Sequence, residues 1–326
     1  MRPFYSSSSA WARMAPIPFN PQESKMKKIF LLLTLLFIPL ISMTAAAKVK
    51  VVATLPVFAS LAEEVGGDHV EVASLARGNQ DPHFLDAKPT FVVKLSQADL
   101  LLHGGLELEI GWLPPILVQA RNPKIVPNTT GNVNLSRGLA ILEIPQTKVD
   151  RSMGDVHPAG NPHFWLDPNN AKIMAVNIGQ HLSEIDPQGK SYYDERLRKF
   201  IDRLNQKMAE WQRKTENLKG KQIITYHKSL SYLAGWTGLE VVATVEPKPG
   251  IPPSSRYVDE LIDKAAQLKV KAILIESFYP QKLPQYLSQK TNIPLIVIPT
   301  DIGEEGIENY FDLMETLIRK ISKVIT

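Results

Sequence analysis

The chain has 326 residues, long for one hydrophobic core and comfortable for two, with 44% hydrophobic and 21% charged residues, a globular rather than a disordered balance. Its net charge of +4 is no sign of a nucleic-acid or acidic-membrane partner: Arg2, Arg13, Lys25, Lys27, Lys28 and Glu23 all precede Lys48, and without them 37 basic and 33 acidic residues become 32 of each. Cysteine is absent, which excludes a disulfide framework and a cysteine-borne lipid anchor.

Met26-Lys27-Lys28, the apolar run Ile29 to Met43 and Ala45-Ala46-Ala47 have the order of a secretory signal cleaved near Ala47. Pro39 interrupts the run, which is short of the roughly 20 residues that span a bilayer. Residues 1–25 precede this well-formed signal and leave open whether translation starts at Met26; they take no part in the fold reading.

From Lys48 short β-rich runs alternate with helical segments, the pattern of α/β domains with a mostly parallel sheet. Strands are predicted at Val49 to Leu55, Val70 to Leu75 and Asp99 to His103, and helices at Pro56 to Val65, Pro89 to Ser96 and about Leu108 to Arg121. An Asn-rich loop at 127–138 and a short apolar run at 141–145 follow. Residues 146–161 show no periodicity and read as an exposed loop. Asp167-Pro168 opens a helix that runs to Ile185.

The longest periodic stretch is Lys190 to Leu218, where Tyr193, Leu197, Phe200, Leu204, Met208 and Trp211 recur at spacings of three and four and share one face. About 28 helical residues would measure about 42 Å, which suits a rigid strut between two domains. The alternation then resumes, with strands predicted at Gln222 to Tyr226, Val241 to Val245, Lys271 to Glu276 and Leu295 to Pro299. Helices are predicted at Ser229 to Trp236, Arg256 to Leu268, Lys282 to Lys290 and Asn309 to Val324. The expected organisation is a presequence at 1–47, an α/β lobe at 48–187, a connecting helix at 188–219 and a second α/β lobe at 220–326.

Ligands of open parallel sheets bind beyond the carboxyl ends of the strands, often where two halves face each other. His83 lies in the loop after the second strand, and His163 stands between Pro162 and Phe164 on a proline-stiffened loop. His227 follows one strand of the second half and Asp301 another. Three imidazoles and a carboxylate make a nitrogen and oxygen set suited to Zn²⁺. Each has a plain alternative, a helix cap for His83, a packed ring for His163, a satisfied carbonyl for His227 and a turn for Asp301, and their joint position argues for the metal. His103, also at a strand end, is the competitor, expected near the site. Glu276 is a reserve carboxylate whose simpler role is a hydrogen-bonded brace. His69 and His181 read as surface residues, and His157 belongs to the loop.

Several segments together resemble the zinc and manganese solute-binding proteins of bacterial ABC transporters. They are Asp81-Pro82-His83 with Lys88-Pro89, Gly105-Leu106-Glu107-Leu108-Glu109 with Trp112-Leu113, Asn161-Pro162-His163-Phe164-Trp165-Leu166-Asp167-Pro168, Tyr226-His227 with Tyr232, and Ile275-Glu276. The resemblance implies two α/β domains bridged by one long helix, and metal held in the cleft by His83, His163, His227 and Asp301. It also implies a periplasmic monomer that delivers the ion to an ABC permease, and it leaves open whether a metallochaperone loads it. Zn²⁺ is expected over Mn²⁺, because His227 stands where manganese-binding relatives offer a glutamate. Many zinc-binding members carry a long histidine- and acid-rich loop before the residue matching His163, whereas here the only acids and histidine in Gln146 to Gly160 are Asp150, Asp155 and His157, which argues against a metal-gathering role. Two other classes fit less well: a hydrolytic metalloenzyme, disfavoured by a closed shell and the lack of an H-E-x-x-H signature, and an adhesin-like surface protein, disfavoured by the missing lipid-anchor cysteine.

Overall fold

The computed structural model describes residues 15, 16, 47–150 and 153–325, and the expected presequence at 1–47, signal included, lies almost wholly outside them. Residues 47–326 form one compact unit built on two sheets of four parallel strands. The first has the order β2-β1-β3-β4, from β1 (Val49–Ala53), β2 (Val70–Ser74), β3 (Leu100–His103) and β4 (Asn132–Asn134). The second has the order β6-β5-β7-β8, from β5 (Gln222–Thr225), β6 (Glu240–Thr244), β7 (Ala272–Glu276) and β8 (Leu295–Ile298). Both sheets reverse direction of growth at their middle, beside β1 and beside β5. There the loops leaving neighbouring strands part and open a crevice.

The helices of the first half are α1 (Pro56–Gly66), α2 (Pro89–Ser96), α3 (Leu113–Ala120) and α4 (Pro168–Ile185). Proline in the first turn starts each of these four, where a missing N–H costs nothing. The long helix α5 (Lys190–Thr215) has 26 residues, about 39 Å, and continues into a 3-10 turn at Glu216–Leu218. It buries Tyr193, Phe200, Leu204, Met208 and Trp211, the stripe read from the sequence. Beyond it lie α6 (Ser231–Thr237), α7 (Ser255–Gln267), α8 (Lys282–Thr291) and α9 (Tyr310–Val324).

Helix α9 packs on α5 and on α1, so the end of the chain crosses back to the first sheet. Phe311 at its start meets Phe200 and Trp211 of α5 edge-on or tilted, and Glu315 accepts the Trp211 indole N–H at 2.7 Å. One hydrophobic core accordingly runs through the first sheet, α5, α9 and the near face of the second sheet, while a smaller one lies under α7 and α8. This seam fastens both halves to the strut.

Two expectations need correction. The helix expected over about 108–121 begins only at Leu113: the stretch before it is a run of separate turns, closed by Leu108 N to Gly105 O, Ile110 N to Glu107 O and Trp112 N to Glu109 O, and Trp112 at φ −139° stands outside helical backbone. The Asn-rich loop contains β4, whose three residues are too few and too polar for a strand pattern to register.

Candidate metal centre

His83, His163 and His227 converge. One ring nitrogen from each lies within 4.8 Å of those of the other two, all three residues are buried, and the ring centroids stand 5.1, 5.3 and 5.5 Å apart. The first two come from loops of the first half. His227 comes from the end of β5, so the cluster spans the crevice.

Each ring is oriented by its other nitrogen. His83 Nδ1 meets Asp81 Oδ1 at 2.7 Å, His163 Nδ1 meets Asn161 Oδ1 at 2.9 Å, and His227 Nδ1 meets Glu246 Oε2 at 3.0 Å. An acceptor on Nδ1 fixes the proton there and leaves Nε2 as a lone pair, the arrangement that prepares imidazole for a metal. Asp81 and Asn161 each stand two residues before their histidine and also accept its backbone N–H at 3.0 Å, so a short turn ahead of the proline sets both rings. Burial opposes ionisation of Asp81, but the His83 hydrogen bond and charge outweigh it and hold the carboxyl below its usual value.

These supports cross between the halves. Tyr232 of α6 donates to the Asn161 carbonyl at 2.9 Å, and the Asn161 amide donates to Lys228 O at 2.8 Å. Trp165 donates to Thr300 O at 2.8 Å, and within the first half Trp112 donates to Pro82 O at 2.9 Å. The residues around the histidine motifs are thus the braces that hold the rings.

Asp301, the fourth predicted ligand, is not in the three-residue group. It is buried at the N-terminus of α1, where Oδ1 accepts the N–H of Val57 and of Ile302, both at 2.7 Å. Burial pushes its carboxyl up to about 8 in spite of those two bonds. Both of these bonds fall on Oδ1. His103 bonds Asn132 Oδ1 at 3.0 Å and faces an apolar pocket with Leu113 and Val118 instead of the cluster. His181 bonds Thr130 O, and His69 stacks on Tyr192.

Glu276 departs from its expected role as a brace. It is fully buried at the end of β7, and neither carboxyl oxygen has a hydrogen-bond partner among the described residues. Burial, with the negative charges of Asp81 and Glu246, pushes it up to about 8, so it is a neutral acid at pH 7.

Two residues escaped the sequence reading. Glu246 sits in a Pro-Gly-rich turn with no pattern to mark it, although it follows a strand as the predicted ligands do. His157 stands in the aperiodic loop, yet its Nε2 lies 3.2 Å from His83 Nε2. Burial, and then the neighbouring His83 and His227, push His157 down to about 3 and hold His163 well below its ordinary value, so both rings are neutral at pH 7. Neutral imidazole is the form that binds a metal.

The family model described as zinc-uptake complex component A, periplasmic, matches residues 51–324. The manganese ABC transporter substrate-binding lipoprotein PsaA of Streptococcus mitis is 28% identical over 285 residues, covering 85% of this chain and 89% of that protein. Among solved structures, that of ZnuA is 23% identical with a TM-score of 0.72, covering 86% of this chain and all of the other. A manganese-bound variant of the periplasmic metal-binding protein of Candidatus Liberibacter asiaticus is 20% identical with a TM-score of 0.70, again covering 86% and 100%. At such identities the structural likeness speaks for the fold.

Proposed function

Since the chain belongs to the family of periplasmic zinc-uptake components, metal-binding solute-binding proteins of ABC transporters and not enzymes, we propose that its cargo is Zn²⁺. The ion would be held by His83, His163, His227 and Asp301 and handed to a permease. The observation that carries the reading is the convergence of three buried imidazoles with each Nδ1 committed to an acceptor. Zinc takes nitrogen ligands at about 2.0–2.1 Å in a tetrahedral shell, whereas Mn²⁺ stands lowest in the divalent affinity order and is served by oxygen. Asp301 Oδ2 is the one oxygen in the set, and with Oδ1 tied to the backbone it would bind through a single atom.

A manganese cargo is the second reading, favoured by the name of the Streptococcus mitis relative. Competition between Zn²⁺ and Mn²⁺ for the metal-free protein at pH 7 separates the two. Zinc should displace manganese at equal free concentration, and parity would refute the three-histidine preference. The lobes at 48–187 and 220–326, with 188–219 between them, are in this reading two walls of a cleft that works as a monomer. Export through a signal cleaved near Ala47 into the periplasm completes the proposal, and the intact mass of the exported protein checks it.

A further inference from the structure

We propose that His157 is a further ligand of the bound ion, brought to it by the segment 153–158 lying as a strap across the mouth of the crevice. The inference rests on the metal-site reading above and adds to it a residue from outside the predicted set.

Three observations carry it. The first is distance. Two nitrogens that share a tetrahedral zinc at about 2.05 Å stand about 3.3 Å apart, and the Nε2 atoms of His83 and His157 stand 3.2 Å apart with ring centroids at 5.2 Å. The second is proton placement. His83 Nδ1 is committed to Asp81, which leaves His83 Nε2 as an acceptor, and His157 Nε2–H donates to it across the 3.2 Å. An ion that takes the His83 Nε2 lone pair removes that acceptor, and the other tautomer of His157 then turns a second lone pair to the same point.

The third is that the strap is built onto the far wall. Asp155 N donates to Pro249 O at 2.9 Å. Gly154, at φ +74°, lies so close that a Cβ there would come within 2.1 Å of the same oxygen. Gly250 N donates at 3.1 Å to Glu246 Oε2, the atom that also holds His227 Nδ1 at 3.0 Å. The seat of the strap and the orientation of a ligand ring therefore share one carboxylate. His157 meets the three-histidine group on its His83 edge, and with Asp301 binding through a single oxygen it would be the fifth ligand, a coordination number zinc accepts.

His157→Cys loaded with Co²⁺ tests this directly. The natural chain holds no cysteine, so a thiolate-to-cobalt charge-transfer band in the near ultraviolet reports ligation by residue 157 and nothing else. The band is expected at one Co²⁺ per chain, and a fully loaded variant without it would overturn the proposal. His157→Ala should lower Zn²⁺ affinity about tenfold, read by chelator competition, and an unchanged affinity would count equally against it. His163→Ala keeps the two ideas apart. Full binding by that variant sinks the metal-site reading itself, whereas a silent His157→Cys with His163→Ala impaired sinks only the strap ligand.

Discussion

Replacing Glu246 by Ala removes the acceptor that fixes the His227 ring. In the native chain Glu246 Oε2 takes His227 Nδ1 at 3.0 Å and Gly250 N at 3.1 Å, and Glu246 and His227 are only 7% and 5% exposed. Without the carboxylate nothing favours the Nδ1–H tautomer, and the lone pair needed at Nε2 is lost for part of the time. Loss of such a partner costs roughly 10- to 100-fold in metal affinity, about 1.4–2.7 kcal/mol of binding free energy. The two orphaned N–H groups also weaken the fold, by about 1–3 kcal/mol each where water does not reach them.

The two effects separate in experiment. Zinc affinity comes from competition with a chelator of known strength, and stability comes from thermal unfolding of the metal-free protein, where each kcal/mol is worth roughly 2–4 °C in a chain of this size. Glu246→Gln retains an amide oxygen for Nδ1, so its affinity should fall by less than that of Glu246→Ala. An alanine variant that binds zinc within twofold of the native protein would refute the claim that this hydrogen bond prepares His227.

Three further outcomes are expected. Asp301 is protonated at pH 7 before loading, with burial holding it at about 8, and a ligand must shed its proton. Zinc binding should therefore release about one proton more from the native protein than from Asp301→Asn, as read by calorimetry in buffers of different ionisation enthalpy, and equal release would remove Asp301 from the shell. Glu276, also raised to about 8 by burial, keeps its proton when folded and sheds it near 4.5 when unfolded, so it weakens the metal-free fold increasingly as pH rises from about 4.5 to 8. Glu276→Gln should raise Tm more at pH 8 than at pH 5, and a gain that does not grow with pH would contradict the buried neutral acid. Because α5 and α9 bind both halves to one core, metal should order the loops at 81–83 and 153–163 with little rotation of the sheets, and a clear drop in radius of gyration on loading, by small-angle scattering, would speak against the strut.

Much of this was legible in the chain because it is local. A strand of Val, Ile and Leu buried on both faces, a proline in the first turn of a helix and a stripe of Tyr193, Phe200, Leu204 and Trp211 each carry their own pattern within a few turns. So does a histidine two residues after Asp81 or Asn161 and one after a proline, since the same short turn that orients the ring is written next to it. What only the tertiary structure decided is whatever depends on residues far apart in the chain. Asp301 lies 244 residues from the Val57 N–H it caps, and Glu246 serves His227 from across a loop. Glu276 is buried on every side with no hydrogen-bond partner for its carboxyl among the described residues, and His157 is set against His83 from 74 residues away. Burial and the approach of distant loops have no periodicity, so a carboxyl pushed up to about 8 and an imidazole pushed down to about 3 became visible only when the two halves stood face to face.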